Sequence, residues 1–229
     1  MQPELVPLVF IFIAVISLVV VIGIAIYIAN KRRMEAFRAL AFRLGITFDE
    51  SKNYNLAEQY GVLNKLAQGS NRYFFNTLAG LYKGYHILVS DYHYETHSID
   101  SKGRSKTNHY HLSLFTLQLP AAFPELTIVR EGLFSKIAQA FGYADIDFES
   151  AEFSRAFCVR SPDKKFAYDV CNAKMLDYLL ENKDLSIEIE RNMLAIVFDT
   201  QLAIEKIKPN LGRLLEIRSR MPNYLFERA

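Results

Sequence analysis

Five histidines, His86, His93, His97, His109 and His111, are concentrated in residues 86–111 of a 229-residue chain. Imidazole titrates near neutral pH and is the commonest side-chain ligand for transition metals. Residues 85–94 and 110–119 both read as strands, and a hairpin register pairing residue 93 with 111 sets two imidazoles side by side. His109 shares their face through the two-residue period of a strand, as do Asp91 and Glu95. His93, His109 and His111 are therefore the candidate metal ligands. A metal centre needs three or four converging ligands, often with a carboxylate. The chain has no helical HExxH signature, and the competing explanation is a half-exposed sheet face filled by Tyr and His.

The stretch Asp145-Ile-Asp-Phe-Glu149 spaces three carboxylates by two, and Glu152 follows. Such spacing occurs in calcium loops, which need Gly at the sixth position and Glu at the twelfth; here those positions are Ser150 and Ala156. A phosphotransfer aspartate would follow an apolar strand, whereas Gly142-Tyr143-Ala144 precedes Asp145. Ile146 and Phe148 alternate with the acids, so an extended edge with one buried face also accounts for the pattern. Asp145, Asp147 and Glu149 stand as acidic candidates, with Arg155 or Arg160 as expected ion-pair partners. The chain contains no GxSxG elbow, P-loop or GxGxxG. Cys158 and Cys171 lack CxxC spacing and read as small core residues of a reducing compartment. We assign no catalytic residue and expect no cofactor.

These residues must be positioned by a chain that begins with an apolar, uncharged run over residues 5–29. A helix needs about 20 residues to cross the hydrocarbon core, so this run spans with some tilt. Tyr27 suits the interface. A cleaved signal peptide would carry a basic n-region and a shorter apolar core; this n-region has Glu4 and no basic side chain. Lys31-Arg32-Arg33 after the run predicts an N-terminus outside and the rest in the cytoplasm, at the inner membrane. Ala25 and Ala29, with Gly23 nearby, form a small-residue pair that can seat a homodimer of helices.

Met34, Phe37, Leu40, Ala41 and Leu44 repeat at helical spacing, and Gly45 is a good C-terminal stop. Lys31, Arg32, Arg33, Arg38 and Arg43 can face anionic lipid heads. A positive-inside signal followed by a solvated helix face packed on the domain requires the same charges. The expected division is an anchor over 1–30, a basic amphipathic helix over 31–44 and a cytoplasmic α+β domain over 45–229.

In that domain, helices are expected over 56–67, over 133–141, after an Asp163 cap, over 173–180, and from Pro209 to about Arg220. Strands are expected over 46–48, 72–78, 85–94, 110–119, 126–129 and 157–160, with a hairpin of 185–189 and 193–198 around Arg191-Asn192. Residues 85–119 form a long hairpin whose basic tip carries Lys102, Arg104 and Lys106. Without a βαβ rhythm the class is α+β, mostly antiparallel.

All 27 Lys and Arg follow the anchor and one of the 25 acids, Glu4, precedes it, leaving the remainder at +3. A nucleic-acid binder would show a larger basic excess. The chain therefore reads as a membrane-anchored interaction or scaffold domain with a protein partner. The alternatives are an anionic-lipid or small-ligand binder, and a tethered hydrolase using the histidine-rich hairpin or the acids from Asp145 to Glu149.

The anchor running into Arg33-Met-Glu-Ala-Phe-Arg-Ala-Leu-Ala-Phe-Arg-Leu-Gly45 resembles a family of uncharacterised bacterial single-pass membrane proteins. So do Asn76-Thr-Leu-Ala-Gly80, Ser90-Asp-Tyr-His-Tyr94, Leu119-Pro120, Asp145-Ile-Asp-Phe148 and Phe153-Ser-Arg155. The resemblance implies this architecture and no activity.

Overall fold

The computed structural model describes residues 5–99, 103–131 and 144–227; the helix expected over 133–141 lies outside them. Anchor and juxtamembrane segment form one uninterrupted helix, α1 (Leu5–Leu44). It contains a window long and apolar enough to cross a membrane, and that window is not buried against the domain. The helix ends in a Schellman motif. Gly45 turns the chain at φ 69, Ile46 N–H donates to Ala41 O at 3.0 Å, and Gly45 N–H donates to Phe42 O at 3.2 Å.

The last turns of α1 belong to the core. Phe37, Leu40 and Ala41 are buried, and Met34 and Leu44 pack on the same cluster. The domain boundary expected at residue 45 therefore cuts through the core, because an apolar stripe on a helix is stable only when another element covers it.

Among the described residues six strands form one antiparallel sheet: β1 (Thr47–Asp49), β2 (Ser70–Tyr82), β3 (Tyr85–Ile99), β4 (Ser105–Arg130), β5 (Phe157–Arg160) and β6 (Ile187–Phe198). The β2–β3 turn is Lys83-Gly84, at φ 49 and 85. Two left-handed residues make the tight turn whose twist matches the flanking strands. Strand β4 runs for 26 residues and unites the two strands expected over 110–119 and 126–129. Its Thr127 and Ile128 pair with both β5 and β6, so β5 follows β3 along one edge and β6 takes the other. Pro120 and Pro124 sit where the pairing with β6 shifts register, which is where a strand tolerates a residue without N–H. Strand β6 contains both arms of the expected hairpin. It is bent at Arg191, φ 53, and Val197 N–H reaches back to Ser186 O at 3.2 Å.

Helices cover both faces of this α+β sheet. The larger core lies between one face and α1, α3 (Ala151–Ala156), α4 (Lys164–Val170), α5 (Ala173–Glu181) and α6 (Ile204–Arg220). The other face carries α2 (Tyr54–Gln59) and two 3-10 turns, Tyr60–Val62 and Asn64–Leu66. A short α7 (Tyr224–Glu227) closes the described chain. The helix expected over 56–67 stops at Gln59, because Asn64 and Lys65 turn their N–H groups to Glu188 rather than along a helix axis. Helix α6 starts five residues before Pro209; the carbonyl left without a donor is that of the exposed Glu205.

Candidate functional site

Two contacts fix how the anchor helix lies on the sheet. At its C-terminal end Ile46 packs over Gly80, which pairs with Ile87 of β3. About 20 Å back along the helix, Arg33 Nη2 lies 3.1 Å from Asp91 Oδ2. Going back along α1 towards the membrane span therefore means going forward along β3, from Ile87 to Asp91. The rest of β3, including His93, Glu95 and His97, lies at the membrane-proximal end of the domain.

Asp91 is the joint between anchor and sheet. Its carboxylate is fully buried. Oδ2 accepts from Asn76 Nδ2 at 2.8 Å and from Arg33, and Oδ1 accepts from Leu202 N–H at 2.6 Å. Asn76 has φ 52 and sits at a bulge of β2 between Phe75 and Leu78, which aims its amide at Asp91. Arg33 Nη2 also donates to Leu202 O at 3.0 Å, and the guanidinium lies over the Phe37 ring. Burial pushes the Asp91 carboxyl above the usual carboxylate range, against the opposing pull of Asn76, Leu202 and Arg33.

The next residues on the same face of β3 form the histidine group. His93 stands opposite His111 and Glu95 opposite His109, the expected register. His93 Nε2 lies 3.3 Å from His109 Nδ1 and 3.9 Å from Glu95 Oε1. His109 Nδ1 lies 3.3 Å from Glu95 Oε1. The converging set is thus His93, Glu95 and His109. His111 stands aside: its ring packs 5.1 Å from that of His93 and 6.2 Å from Phe75. Burial and then the neighbouring His93 hold the His111 imidazole below its ordinary pKa. His97 bonds Ser70 Oγ and Thr107 Oγ1, both at 3.1 Å, and His86 falls on the opposite face by the strand period.

Asn71 supports the group from β2. Its main-chain oxygen lies 3.2 Å from His93 Nδ1, and its Nδ2 donates to Glu95 Oε1 at 2.7 Å. That amide bond, followed by His109 and His93, holds the Glu95 carboxyl below its usual range. Asn71 has φ 47, inside the register shift between Ser70 and Tyr73. Gly69 before it has φ 67, and a side chain there would meet Glu95 O at 2.2 Å. Glycine lets this loop close on β3. The ring of Tyr73 stacks on His93 at 4.5 Å.

The acidic stretch is put to structural use. Asp145 Oδ1 accepts the N–H of Ile146 at 3.0 Å and of Val159 at 2.9 Å, pinning residues 145–146 beside β5. Of the expected partners, Arg155 bonds within its own helix, its Nε donating to Ala151 O at 3.0 Å. Asp147 and Glu149 are exposed while Ile146 is buried, the alternation of an extended edge. Asp145 also approaches Glu131 and Cys158, but burial and then Asp145 push the Cys158 thiol up to about 12, which keeps it protonated.

The five basic candidates divide. Lys31, Arg32 and Arg43 are exposed; Lys31 and Arg32 follow the apolar span directly, whereas Arg43 sits at the opposite end of the domain's helix. Arg38 pairs with Glu50 at 2.7 Å. Arg33, expected to face lipid, instead turns inward to Asp91, because the buried carboxylate offers it charge-assisted bonds that water cannot match. The strand period puts Asp91 and Glu95 on the histidine face as candidate carboxylates, whereas nothing in the spacing of Asn71 or Glu188 marks their roles. The signal for Glu95 was its period-two spacing from His93; a left-handed Asn in a bulge leaves no such signal.

The class these features define is a helix-anchored antiparallel α+β domain whose anchor is part of the core. No protein-family model matches the chain, and no curated protein matches it in sequence. Among solved structures it is similar to the crystal structure of the mycobacterial trehalose monomycolate transport factor A, TtfA. That similarity has a TM-score of 0.55 at 10% identity and covers 82% of this chain and 95% of that one. At such identity the likeness is one of fold.

Proposed function

We propose that this chain is a membrane-anchored interaction domain that serves a transport process at the membrane, with its N-terminus outside and its domain in the cytoplasm. The observation that carries this reading is the fusion of anchor and core: Arg33 is locked to Asp91 and Leu202 O, and Phe37, Leu40 and Ala41 are buried under the sheet. A flexible linker would let the domain search a volume; a helix running from span into core holds it at one height and one rotation. Fixed presentation favours contact with a neighbour that is itself fixed in the bilayer. The fold likeness to a transport factor supports transport as the process, and Lys31-Arg32-Arg33 supports the orientation.

The test is crosslinking and capture from native membranes, comparing the natural chain with one carrying a ten-residue Gly/Ser insertion between Asn30 and Lys31. The insertion leaves span and core intact and uncouples them. A membrane partner recovered with the natural chain and lost on insertion is expected. Failure to recover a partner with well-folded, abundant protein, or equal recovery with the insertion, would overturn the reading.

A further inference from the structure

Three ligand-type atoms converge at the membrane-proximal end of the sheet, separated by 3.3, 3.3 and 3.9 Å. Zinc binds nitrogen and oxygen ligands tetrahedrally at about 2.0–2.2 Å, which sets neighbouring ligand atoms about 3.3–3.6 Å apart. The group already has that spacing to within a few tenths of an ångström. The geometry points to a site for one divalent transition-metal ion of the zinc class, held by His93 Nε2, His109 Nδ1 and Glu95 Oε1.

The surroundings are prepared for this. A carbonyl oxygen only accepts, so the 3.2 Å contact of His93 Nδ1 with Asn71 O puts the proton on Nδ1 and leaves the Nε2 lone pair facing the group. Ligating histidines characteristically donate their other ring N–H to a carbonyl or carboxylate, which fixes tautomer and ring orientation. The Asn71 amide takes one lone pair of Glu95 Oε1 and leaves another for an ion. One residue thus orients two of the three ligands, and the left-handed Asn71 and the close approach at Gly69 exist to bring it there. Two imidazoles and one carboxylate suit zinc-class ions better than magnesium or calcium, which prefer oxygen. Three protein ligands leave a fourth position for water. It opens beside His109, whose side chain is 58% exposed.

The experiment titrates Co²⁺ into full-length, metal-free protein in detergent, reads the visible absorption of tetrahedral cobalt, and then displaces it with Zn²⁺. One ion per chain and a visible band are expected. The band should vanish in His93→Ala and His109→Ala, persist in His97→Ala and His111→Ala, and weaken in affinity by about ten- to a hundredfold in Asn71→Gly. Melting curves accompany each variant; if His93→Ala fails to fold, the exposed His109 carries the test. Absence of a band in the natural protein at saturating Co²⁺, or an unchanged band in folded His109→Ala, would overturn the site.

Discussion

Glu188 is the acidic side chain on which pH should act most visibly. It is fully enclosed, and its two carboxylate oxygens accept the N–H groups of Asn64 at 2.7 Å and Lys65 at 3.1 Å. Burial pushes its pKa from 4.5 to about 7, opposed by those two bonds and by the charge of Lys65, and assisted by Glu125. A carboxyl with a raised folded-state pKa binds more protons folded than unfolded, so its contribution is fully present at low pH and declines as pH rises through the folded value. The interval from 4.5 to about 7 corresponds to about 3 kcal/mol, at about 1.4 kcal/mol per tenfold. The melting temperature should therefore fall between about pH 5 and about pH 8, at about 2–4 °C per kcal/mol for a domain of this size. Glu188→Gln should flatten that slope while costing about 1 kcal/mol at the acid end for one lost bond. An equal slope in the variant would show that other groups set it. At this scale the sequence was legible where a period sufficed: it placed Asp91, Glu95, His93, His109 and His111 on one face. It was illegible where the partner is remote, since Glu188 meets Asn64 across 124 positions. Arg33 reads like any positive-inside charge until the buried Asp91 is seen.

The same contrast holds for elements. The α1 terminus was legible because Gly45 is a local stop and the apolar stripe from Met34 to Leu44 needs only its own spacing. The length of β4 was hidden by Pro120 and Pro124, which look like breakers until the register shifts with β6 absorb them. The reach of α2 was hidden because its interruption is imposed by Glu188. The sharpest consequence concerns where the domain starts. Loss of the Phe37 and Leu40 side chains from a core costs about 2–5 kcal/mol each, together comparable to the whole stability of a domain. A fragment of residues 31–229 should fold and melt cooperatively, whereas one of residues 45–229 should be unfolded or bind a hydrophobic dye strongly. Cooperative melting of the shorter fragment at a similar temperature would mean that the end of α1 merely rests on the sheet.

For the whole molecule the controlling fact is direction. α1, read backwards, runs with β3 towards the membrane, while α6 starts beside Asp91 through Leu202 and carries Arg218 to within 5.9 Å of the Tyr85 ring, at the far end of the same strand. The histidine-bearing end of the sheet, with the basic residues Arg104 and Lys106 of the β3–β4 hairpin, therefore points in the direction of the apolar span. From residue 30 to Phe37 the helix rises only about 10 Å, so that end has little room to turn away from the surface. With the N-terminus outside, as proposed above, this surface would be the cytoplasmic leaflet, whose anionic lipids attract such charges. Thiol labelling can decide it, because the two native cysteines are silent. Cys158 and Cys171 are both buried, and burial pushes both thiols above their ordinary pKa, so neither offers an accessible thiolate. A membrane-impermeant maleimide on intact cells should label Gln2→Cys and spare Ser51→Cys, which lies on the exposed surface of the domain; lysis should expose Ser51→Cys to labelling. The opposite pattern would place the domain outside. It would defeat the positive-inside reading of Lys31-Arg32-Arg33 and move the search for a partner to the other side of the membrane.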